Sequence, residues 1–454
     1  MPSAERKTPA TTDTIAAVAT PQGRGGIGIV RVSGPHARNV AATLIGFIPR
    51  AREASSARAR DAFGIVIDSG IALYFPAPRS YTGEDVFEFQ GHGGPEVVRL
   101  VLGACLDAGA RAAAAGEFTQ RAFLNGKLDL AQAEAVADLI DAASAEAARS
   151  AMRSLSGEFS AQILELVREL TELRALTEAM LDFPEEEVDE LHVRDARTRL
   201  GQIRERMHSV MERSSQGSLL REGIHVVIVG RPNVGKSSLL NRLAGEERAI
   251  VTAHPGTTRD TLREAIRIEG VPIHVVDTAG LRETVDEVER EGIARAWREV
   301  EAADLVLLLL EADQGTGPQE DEILRRLPAR AQRLRVYNKV DLVPGREPGL
   351  SASEPGTVYV SAKTGAGLDA LRREMVAAAG WKPGGEPVFL ARERHLRALH
   401  DAGARLGAAA AEHARWELFA EELRLAQDAL SSITGEVSAD DLLGEIFARF
   451  CIGK

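Results

Sequence analysis

The stretch Gly230 to Ser237, which reads Gly-Arg-Pro-Asn-Val-Gly-Lys-Ser, decides the fold of the central part of this 454-residue chain. It fits the pattern G-x-x-x-x-G-K-S, follows the apolar run Ile224–Val229 and precedes a helical pattern. A phosphate-binding loop needs this context. Its glycines let backbone N–H groups wrap the phosphates, while Lys236 supplies a cation and Ser237 a hydroxyl for Mg²⁺. The alternative is a glycine-rich turn between a strand and a helix.

Three further motifs each follow a predicted strand. Asp277 opens Asp-Thr-Ala-Gly, in which the acid can hold Mg²⁺ through water and the N–H of Gly280 can sense the γ-phosphate. Asp341 closes Asn-Lys-Val-Asp, and its carboxylate can accept two hydrogen bonds from guanine that adenine cannot donate. The run Ser361–Lys363 can offer backbone N–H groups to the guanine oxygen. The four motifs in this order predict a GTP site.

The set resembles the translation-factor-type GTPases. This resemblance implies the following GTP-site residues: Asn233, Val234, Gly235, Lys236, Ser237, Ser238, Thr252, Thr257, Thr258, Asp277, Thr278, Ala279, Gly280, Asn338, Lys339, Asp341, Ser361, Ala362 and Lys363.

One departure from Ras-like proteins concerns catalysis. The position after Asp-x-x-Gly that holds a water-orienting Gln in those proteins is Leu281 here, so another polar group must orient the water. The following segment is rich in acids, and periodicity does not choose among them. Switch one is assigned to Thr252–Asp260, whose carbonyls, together with Asn233, indicate a monovalent cation near the β–γ bridge. Asn233 as a simple turn residue is the open alternative.

Length and composition predict a soluble, cytoplasmic protein of several domains. The net charge of −12 argues against a broad electrostatic grip on nucleic acid. Only Cys105 and Cys451 are present, which favours a reducing compartment. A secretory signal is missing, and the longest apolar run, Leu305 to Leu310, is too short to span a bilayer.

The chain divides by pattern into an N-terminal α+β domain (1–126), a helical domain in two segments (127–218 and 384–454) and an inserted G domain (219–383). The first segment predicts two long helices between Leu128 and Met180 and another over Val193–Ser214. A helix is also predicted from Pro95 to Ala108. The G domain alternates strands and helices, which predicts a parallel sheet with helices on both faces.

The whole chain resembles the MnmE (TrmE) family of tRNA-modification GTPases. The resemblance covers residues 13–454, and its markers are the motifs at Gly23–Gly28, Tyr81–Asp85, Gly91–Pro95, Gly116–Thr119, Lys127–Glu134 and Phe450–Lys454.

This resemblance implies a homodimer formed through the N-terminal domains, which would resemble folate-binding modules and hold 5-formyltetrahydrofolate as one-carbon donor. By position, the folate contacts fall on Arg31, Glu88, Lys127 and Lys454. Arg and Lys suit the glutamate carboxylates of such a ligand, and Glu suits the N–H groups of its pterin ring. Taken one at a time, each of these residues also suits an ordinary surface charge or ion pair.

The resemblance also implies metal ligands and catalytic groups. The K⁺ ligands fall on Asn233, Thr252, His254 and Thr257, and Thr258 joins Ser237 on Mg²⁺. The catalytic carboxylate falls on Glu289, which would orient the attacking water in place of the missing Gln. Cys451 falls on the position of a catalytic thiol in the modification.

The implied function is K⁺-activated GTP hydrolysis that serves tRNA modification. With a flavin- and NADH-dependent partner of the GidA/MnmG type, in a heterotetramer, the protein would place a carboxymethylaminomethyl or aminomethyl group at C5 of the wobble uridine of certain tRNAs. One rival is a regulatory GTPase switch, such as a ribosome-assembly factor. A second is a small-molecule kinase, which the guanine motif ending at Asp341 disfavours.

Overall fold

The computed structural model describes residues 13–182, 190–246, 263–277, 303–314, 317, 325, 331–382, 388–412, 415–436, 440–448, 450 and 453. The chain forms two compact units. The first contains residues 1–137, 155–178 and 420–454, and the second contains 138–154 and 179–419.

The first unit is built on a six-stranded sheet in which only the β1–β6 pair is parallel. The strand order is β3-β4-β5-β2-β1-β6. The strands are β1 Ile15–Val18, β2 Gly25–Ser33, β3 Ser55–Arg60, β4 Val66–Phe75, β5 Val86–Gly93 and β6 Arg111–Ala112.

Two helices, α1 (Ala37–Ile45) and α2 (Pro95–Asp107), supply apolar side chains to the main core of this sheet. The prediction of a helix at Pro95–Ala108 is therefore confirmed within one residue. Alternation along β5 puts Phe87 and Phe89 in that core. Their neighbour Glu88 thereby belongs to the other face of the sheet, where a functional group can meet a ligand.

Five more helices belong wholly or mainly to the first unit: α3 Glu117–Leu124, α4 Leu130–Ile140, α6 Glu158–Asp182, α11 Trp416–Thr434 and α12 Asp440–Phe447. The prediction of two long helices between Leu128 and Met180 is wrong, because α5 (Ala145–Leu155) lies between α4 and α6. Gly157 adopts a left-handed φ of +90° and separates α5 from α6, a conformation that glycine tolerates without strain. Helix α6 then buries Leu166, Leu170 and Leu173 at helical spacing.

The second unit contains a seven-stranded sheet of order β12-β13-β11-β10-β7-β9-β8. Its strands are β7 Ile224–Val229, β8 Arg263–Ile268, β9 Val271–Asp277, β10 Leu305–Glu311, β11 Gln332–Asn338, β12 Gly349–Leu350 and β13 Thr357–Tyr359. The five central strands are parallel, as predicted. The two edge strands β8 and β12 are antiparallel to their neighbours, so a wholly parallel sheet is not found.

Both faces of this sheet are apolar along the central strands. On β7, Val226 and Ile228 enter one core, while Val227 and Val229 enter a second core on the opposite face. Strands buried on both faces are typical of α/β sheets. Among its described residues, this unit also contains the helices α7 Glu190–Glu222, α8 Lys236–Glu246, α9 Leu368–Ala378 and α10 Glu393–Ala411. Helix α7 is longer than the predicted Val193–Ser214, because it continues to the strand that bears the phosphate loop.

Within the described parts of the chain, none of the helices combines the length and the apolarity that crossing a membrane requires.

Candidate functional site

The phosphate loop connects β7 to α8 as predicted. Gly230 and Gly235 are glycines because neighbouring atoms approach their Cα atoms too closely for a side chain. A Cβ on Gly230 would lie 2.4 Å from the carbonyl oxygen of Leu309. Gly235 has a φ of +99°, and a Cβ there would lie 2.3 Å from Nδ2 of Asn338. Both positions therefore exclude any residue with a side chain, which is a physical reason for the two glycines of the motif.

The cationic and hydroxyl groups of the loop lie where α8 begins. Nζ of Lys236 donates to the carbonyls of Gly230 and Arg231, both at 2.9 Å, so its charge sits within the loop. Ser237 and Ser238 follow in the exposed first turn of α8. The N-terminus of a helix attracts anions, because its first N–H groups are unsatisfied and its dipole is positive there.

Asn233 has a left-handed φ of +63° and an exposed side chain. Asn tolerates this conformation better than most residues, so its role as a turn residue has a structural basis. Its exposed amide is also available to a ligand. The two interpretations of Asn233 are therefore compatible.

The guanine-side motifs meet the phosphate loop through one buried amide. Asn338 donates from Nδ2 to the carbonyl of Val234 at 2.8 Å and accepts at Oδ1 from the N–H of Ala362 at 2.9 Å. Oγ of Ser361 donates to Oδ1 of Asp341 at 2.6 Å. The structure therefore brings these five residues of the predicted GTP site together. It also shows two connections that the motifs alone do not reveal: Asn338 to the phosphate loop and Ser361 to the guanine carboxylate.

Two other predicted residues sit at strand ends nearby. Lys339, with a left-handed φ of +65°, forms an ion pair with Glu311. Asp277 is the last residue of β9 and is paired in register with Ile228 of β7, just before the phosphate loop. Lys363 is exposed after β13.

Several predicted site residues lie outside the described part of the chain. They are Thr252, His254, Thr257, Thr258, Thr278, Ala279, Gly280, Glu289, Cys451 and Lys454.

A second group of charged residues occupies the sheet of the first unit. Nε of Arg31 donates to Oε1 of Glu88 at 2.7 Å, across directly paired residues of β2 and β5. The Arg31 guanidinium lies 5.5 Å from the ring centre of Tyr81 and 5.8 Å from that of Phe118, within cation–π range. Arg31 and Glu88 are thus an ion pair, as the alternative interpretation has it, but one that is half-buried and flanked by aromatic rings.

Lys127 approaches the same region from the end of α3. Its side chain packs against Gly83, where a Cβ would lie 3.3 Å from the Lys127 Cγ. Gly83 belongs to the loop that carries Tyr81, whose hydroxyl shares a hydrogen bond of 2.8 Å with Thr119. A cavity of about 690 Å³ opens beside Lys127, lined among others by Asn125, Asp129, Gln132, Thr434 and Glu436. Arg31 and Glu88 are therefore paired on the sheet, and Lys127 packs against the loop that carries Tyr81 beside them. The fourth predicted folate residue, Lys454, lies outside the described residues.

A buried ionic network holds the loop and α3 in place. Arg121 donates to both oxygens of Glu84, at 3.2 and 3.1 Å, and to Oε1 of Glu117 at 2.9 Å. Burial alone would raise the pKa of Glu117, but hydrogen bonds from Arg111, the backbone of Ala114 and Arg121 outweigh it and lower that pKa. Glu84 and Glu117 lie in the motifs quoted above, whereas Arg111 and Arg121 do not, and nothing in the sequence indicates that these four residues pair with one another.

Of the two cysteines in the chain, Cys105 belongs to the described residues. Cys105 is fully buried in the core of the sheet, and burial raises the pKa of its thiol to about 12. Such a thiol is inert as a nucleophile. Cys451 lies outside the described residues. Gly453, two residues later in the sequence, packs against β1, since a Cβ there would lie 2.1 Å from the carbonyl oxygen of Val18.

Two family models match this chain. The model described as "GTP-binding protein TrmE N-terminus" matches residues 14–127, and "MnmE helical domain" matches residues 130–451. The curated tRNA modification GTPase MnmE of Thiobacillus denitrificans is 60% identical over 442 residues, which covers 97% of this chain and 98% of that protein. The chain belongs to the MnmE family of tRNA-modification GTPases.

A second MnmE, from Azoarcus sp. strain BH72, is 58% identical over 452 residues and covers 99% of both chains. Among solved structures, Aquifex aeolicus Era bound to GDP and aluminium fluoride is 29% identical over 40% of this chain and 65% of its own, with a TM-score of 0.28. The fold class predicted from the sequence is confirmed: the chain has an N-terminal α+β domain of the TrmE type, a helical domain and a Ras-like G domain. GTP binding and hydrolysis follow from this membership and from the phosphate-loop geometry.

Proposed function

We propose that this MnmE protein is a K⁺-activated GTPase that acts as a homodimer and joins a flavin-dependent partner of the GidA/MnmG type in a heterotetramer. The complex would install a carboxymethylaminomethyl group at C5 of the wobble uridine of certain tRNAs, in the cytoplasm. The observation that carries this proposal is the presence of two distinct sites in one chain. The GTP site is centred on Asn338, and a charged, ring-flanked site is centred on Arg31 and Glu88.

In the GTP site, Lys236 and the first turn of α8 would bind the phosphates, and Asp341, oriented by Ser361, would select guanine. The Ser237 hydroxyl would hold Mg²⁺ together with Thr258, and Asp277 would bind it through water. K⁺ would be held by Asn233, Thr252, Thr257 and the carbonyl of His254. The exposed amide of Asn233 and hydroxyl of Ser237 fit these roles, because oxygen atoms are the ligands that hard cations prefer. Both cations neutralise charge that develops on the phosphates.

Leu281 cannot orient water, so we assign that task to Glu289, acting through a second water. The variant Glu289→Ala should bind GTP with unchanged affinity and hydrolyse it slowly, by the roughly 10²–10⁴-fold that a positioned general base contributes. A wild-type hydrolysis rate would remove Glu289 from this role.

The K⁺ assignment has a direct test. GTP hydrolysis at equal ionic strength should be fast in KCl and slow in NaCl, because Na⁺ is too small for a site shaped by several carbonyl and amide oxygens. Asn233→Ala should lose the difference between the two salts. Equal rates of the wild-type protein in both salts would reject the ion-dependent mechanism.

In the N-terminal domain, Arg31, Glu88, Lys127 and Lys454 would hold 5-formyltetrahydrofolate, which supplies the one-carbon unit. The residues fit such a ligand. The half-buried carboxylate of Glu88 can accept from ring N–H groups, the cations can bind carboxylates, and aromatic side chains lie beside Arg31. Calorimetry with the folate should show binding that Glu88→Gln weakens. Cys451 would be the thiol of the modification, and the inert Cys105 leaves it no competitor within the chain.

Exposed apolar side chains of the N-terminal domain support the homodimer. Phe63 at the β3–β4 turn is 90% exposed, and Ile27 and Ile65 are 65% and 64% exposed. Phe63 and Ile65 belong to the same turn, and neighbouring exposed apolar groups of this kind are typical of an interaction surface. Sedimentation equilibrium should give twice the chain mass, and Phe63→Asp should raise the dissociation constant. A monomer at micromolar concentration would contradict the homodimer.

Nucleoside analysis of tRNA separates this function from the regulatory-switch rival. Cells depleted of the protein should lose the modification at the wobble uridine. If the amount of modified wobble uridine equals that of wild-type cells, a ribosome-assembly role is favoured. The carboxylate of Asp341 predicts a preference for GTP, so a measured preference for ATP would favour the kinase alternative.

A further inference from the structure

The antiparallel hairpin β8–β9 connects the segment assigned to switch one with the Asp-Thr-Ala-Gly motif of the GTP site. Strand β8 begins at Arg263, shortly after switch one ends at Asp260, and β9 ends at Asp277, the first residue of that motif. Arg263 is paired with Val276, and the register continues without a bulge to Ile268 and Val271. A ladder of this kind moves as one body. At about 3.3 Å per residue, β9 spans roughly 20 Å away from the nucleotide.

The turn at the far end of the hairpin contacts helix α5. Glu269 and Gly270 form this turn, with left-handed φ values of +51° and +83°. A Cβ on Gly270 would lie 2.8 Å from Oε2 of Glu146 and 3.2 Å from its Cγ and Cδ. The side chain of Glu146, in the first turn of α5, therefore lies directly over the glycine.

The same hairpin contacts the end of helix α7. Nε2 of His274 in β9 lies 3.1 Å from the carbonyl oxygen of Glu222, and a Cβ on Gly223 would lie 2.5 Å from the carbonyl oxygen of Pro272. The His274 ring also stacks on that of His225, with the ring centres 5.1 Å apart. The end of α7 is thus fitted to β9 at van der Waals distance.

One buried carboxylate joins this end of α7 to two other helices. Asp138 of α4 has a side chain that is 6% exposed, and its Oδ1 accepts from Nε of Arg221 at 3.0 Å and from Nη2 of Arg392 at 2.8 Å. Arg221 belongs to the last turn of α7, and Arg392 caps the start of α10. All of these contacts lie within the second compact unit. Charged hydrogen bonds of this kind are strong and geometrically demanding when buried.

We propose that the β8–β9 hairpin transmits the nucleotide state of the GTP site to helices α5 and α7, with Asp138 as the positioning residue that passes the movement of α7 to α4 and α10. The proposal rests on the GTPase cycle proposed above and names the residues of its relay. A nucleotide would bias the hairpin through the two segments that flank it, which join it at Arg263 and Asp277. Helix α5 contacts the hairpin at Gly270, and the end of α7 contacts it at His274. Coupling requires such an element, whose position both sites can bias.

The variant Gly270→Ala tests the contact with α5, and Gly345→Ala is its matched control. Both glycines have a left-handed φ, +83° at Gly270 and +78° at Gly345, so alanine strains the backbone similarly. At Gly270 the added methyl group would meet another helix, whereas no atom of the described residues lies within 4 Å of a Cβ on Gly345. Glu146→Ala removes the same contact without any backbone strain, and Glu205→Ala on the exposed face of α7 is its control.

The measurement is amide hydrogen exchange of the full-length protein with GDP and with GDP–aluminium fluoride, read on peptides that cover 145–155, 213–222 and 393–411. In wild type and both controls, exchange in these helices should differ between the two nucleotide states. In Gly270→Ala and Glu146→Ala, the difference over 145–155 should fall at least fivefold, the lower end of typical allosteric coupling. Asp138→Asn should keep the difference over 213–222 and lose the one over 393–411.

An unchanged difference over 145–155 in Glu146→Ala, or no difference in wild type, would overturn the proposal. Exchange needs neither tRNA nor partner, so this result is independent of the proposed modification. In the reconstituted modification assay, Glu146→Ala should hydrolyse GTP at the wild-type rate yet modify tRNA at least fivefold more slowly. A wild-type protein that shows the exchange difference but modifies no tRNA would reject the proposed function and leave the relay standing.

Discussion

Asn338 provides the most quantitative prediction, because its side chain is only 2% exposed and makes two hydrogen bonds to backbone. Replacing it with alanine leaves the carbonyl of Val234 and the N–H of Ala362 without their partner. The first belongs to the phosphate loop and the second to the guanine side. The variant Asn338→Ala therefore separates the two halves of the GTP site, and it leaves Lys339 and Asp341, the other predicted GTP-site residues of the motif, in place.

The expected cost follows from the number of orphaned groups. A buried backbone group that loses its partner costs about 1–3 kcal/mol, so the two together cost about 2–6 kcal/mol in the free energy of unfolding. Whole domains have only about 5–15 kcal/mol, so the G domain without nucleotide should become marginal. Bound GDP should restore part of the stability, about 4 kcal/mol at a thousandfold excess over its dissociation constant.

Tryptophan fluorescence can follow this unfolding within the intact chain. Trp381 packs against the core of the seven-stranded sheet, and Trp297→Phe with Trp416→Phe leaves it as the sole probe. Guanidinium titrations with and without GDP then give the free energy. Asn241→Ala, on the exposed face of α8, should stay within about 0.5 kcal/mol of wild type. The same small change in Asn338→Ala would refute the reasoning.

Three further predictions concern single residues. The pKa of Glu117 is lower in the folded protein than its usual value of 4.5, so the ionised carboxylate stabilises the fold at pH values above 4.5. This contribution is lost as the pH falls through the folded-state pKa. The difference in unfolding free energy between wild type and Glu117→Gln should therefore shrink below the folded-state pKa. Cys105 should stay unlabelled by iodoacetamide in the native protein, as shown by mass spectrometry on Cys451→Ser, since its pKa is about 12. Gly235→Ala should abolish GDP binding in a filter assay, because its methyl group would enter the buried amide that joins the two halves of the site.

The sequence was sufficient to predict the G domain because each of its motifs is local. The loop at Gly230 must follow a strand, and Asp341 must follow another, and parallel strands bring their ends to one edge of a sheet. The antiparallel edge strand β8 was harder to predict, since its direction depends on the turn at Gly270 and not on its own residues. Likewise, Gly157 separates α5 from α6, whereas periodicity predicted only two long helices over the region from Leu128 to Met180.

The N-terminal domain was less predictable, because its site depends on pairing across distant strands. Arg31 and Glu88 are far apart in sequence, and only the register of β2 with β5 makes them neighbours. The aromatic rings of Tyr81 and Phe118 come from loops and helices on either side. Long-range register leaves no periodic signal in one sequence, so the family resemblance identified residues that composition and spacing could not.

The way in which the G domain joins the rest of its unit bears on the choice between a tRNA-modifying GTPase and an independent switch. The amide of Gln216, in the last turns of α7, donates to the carbonyl of Gly380 at 2.6 Å and accepts from the N–H of Lys382 at 2.9 Å. The guanidinium of Arg213 lies 4.2 Å from the ring centre of Phe389, on the chain that leaves the domain. The incoming and outgoing segments are therefore bonded to each other.

A domain held in this way cannot turn freely about its two connections. Movement at the nucleotide must then appear in α7, which carries Gln216 and Arg213, and in α10, which follows Phe389 in the chain. An independent switch signals by binding partners with the surface of its own G domain, so it does not need a rigid connection to the helices. A GTPase whose hydrolysis serves chemistry elsewhere in the chain requires it, and loosening the joint with Gln216→Ala should lower tRNA modification more than GTP hydrolysis.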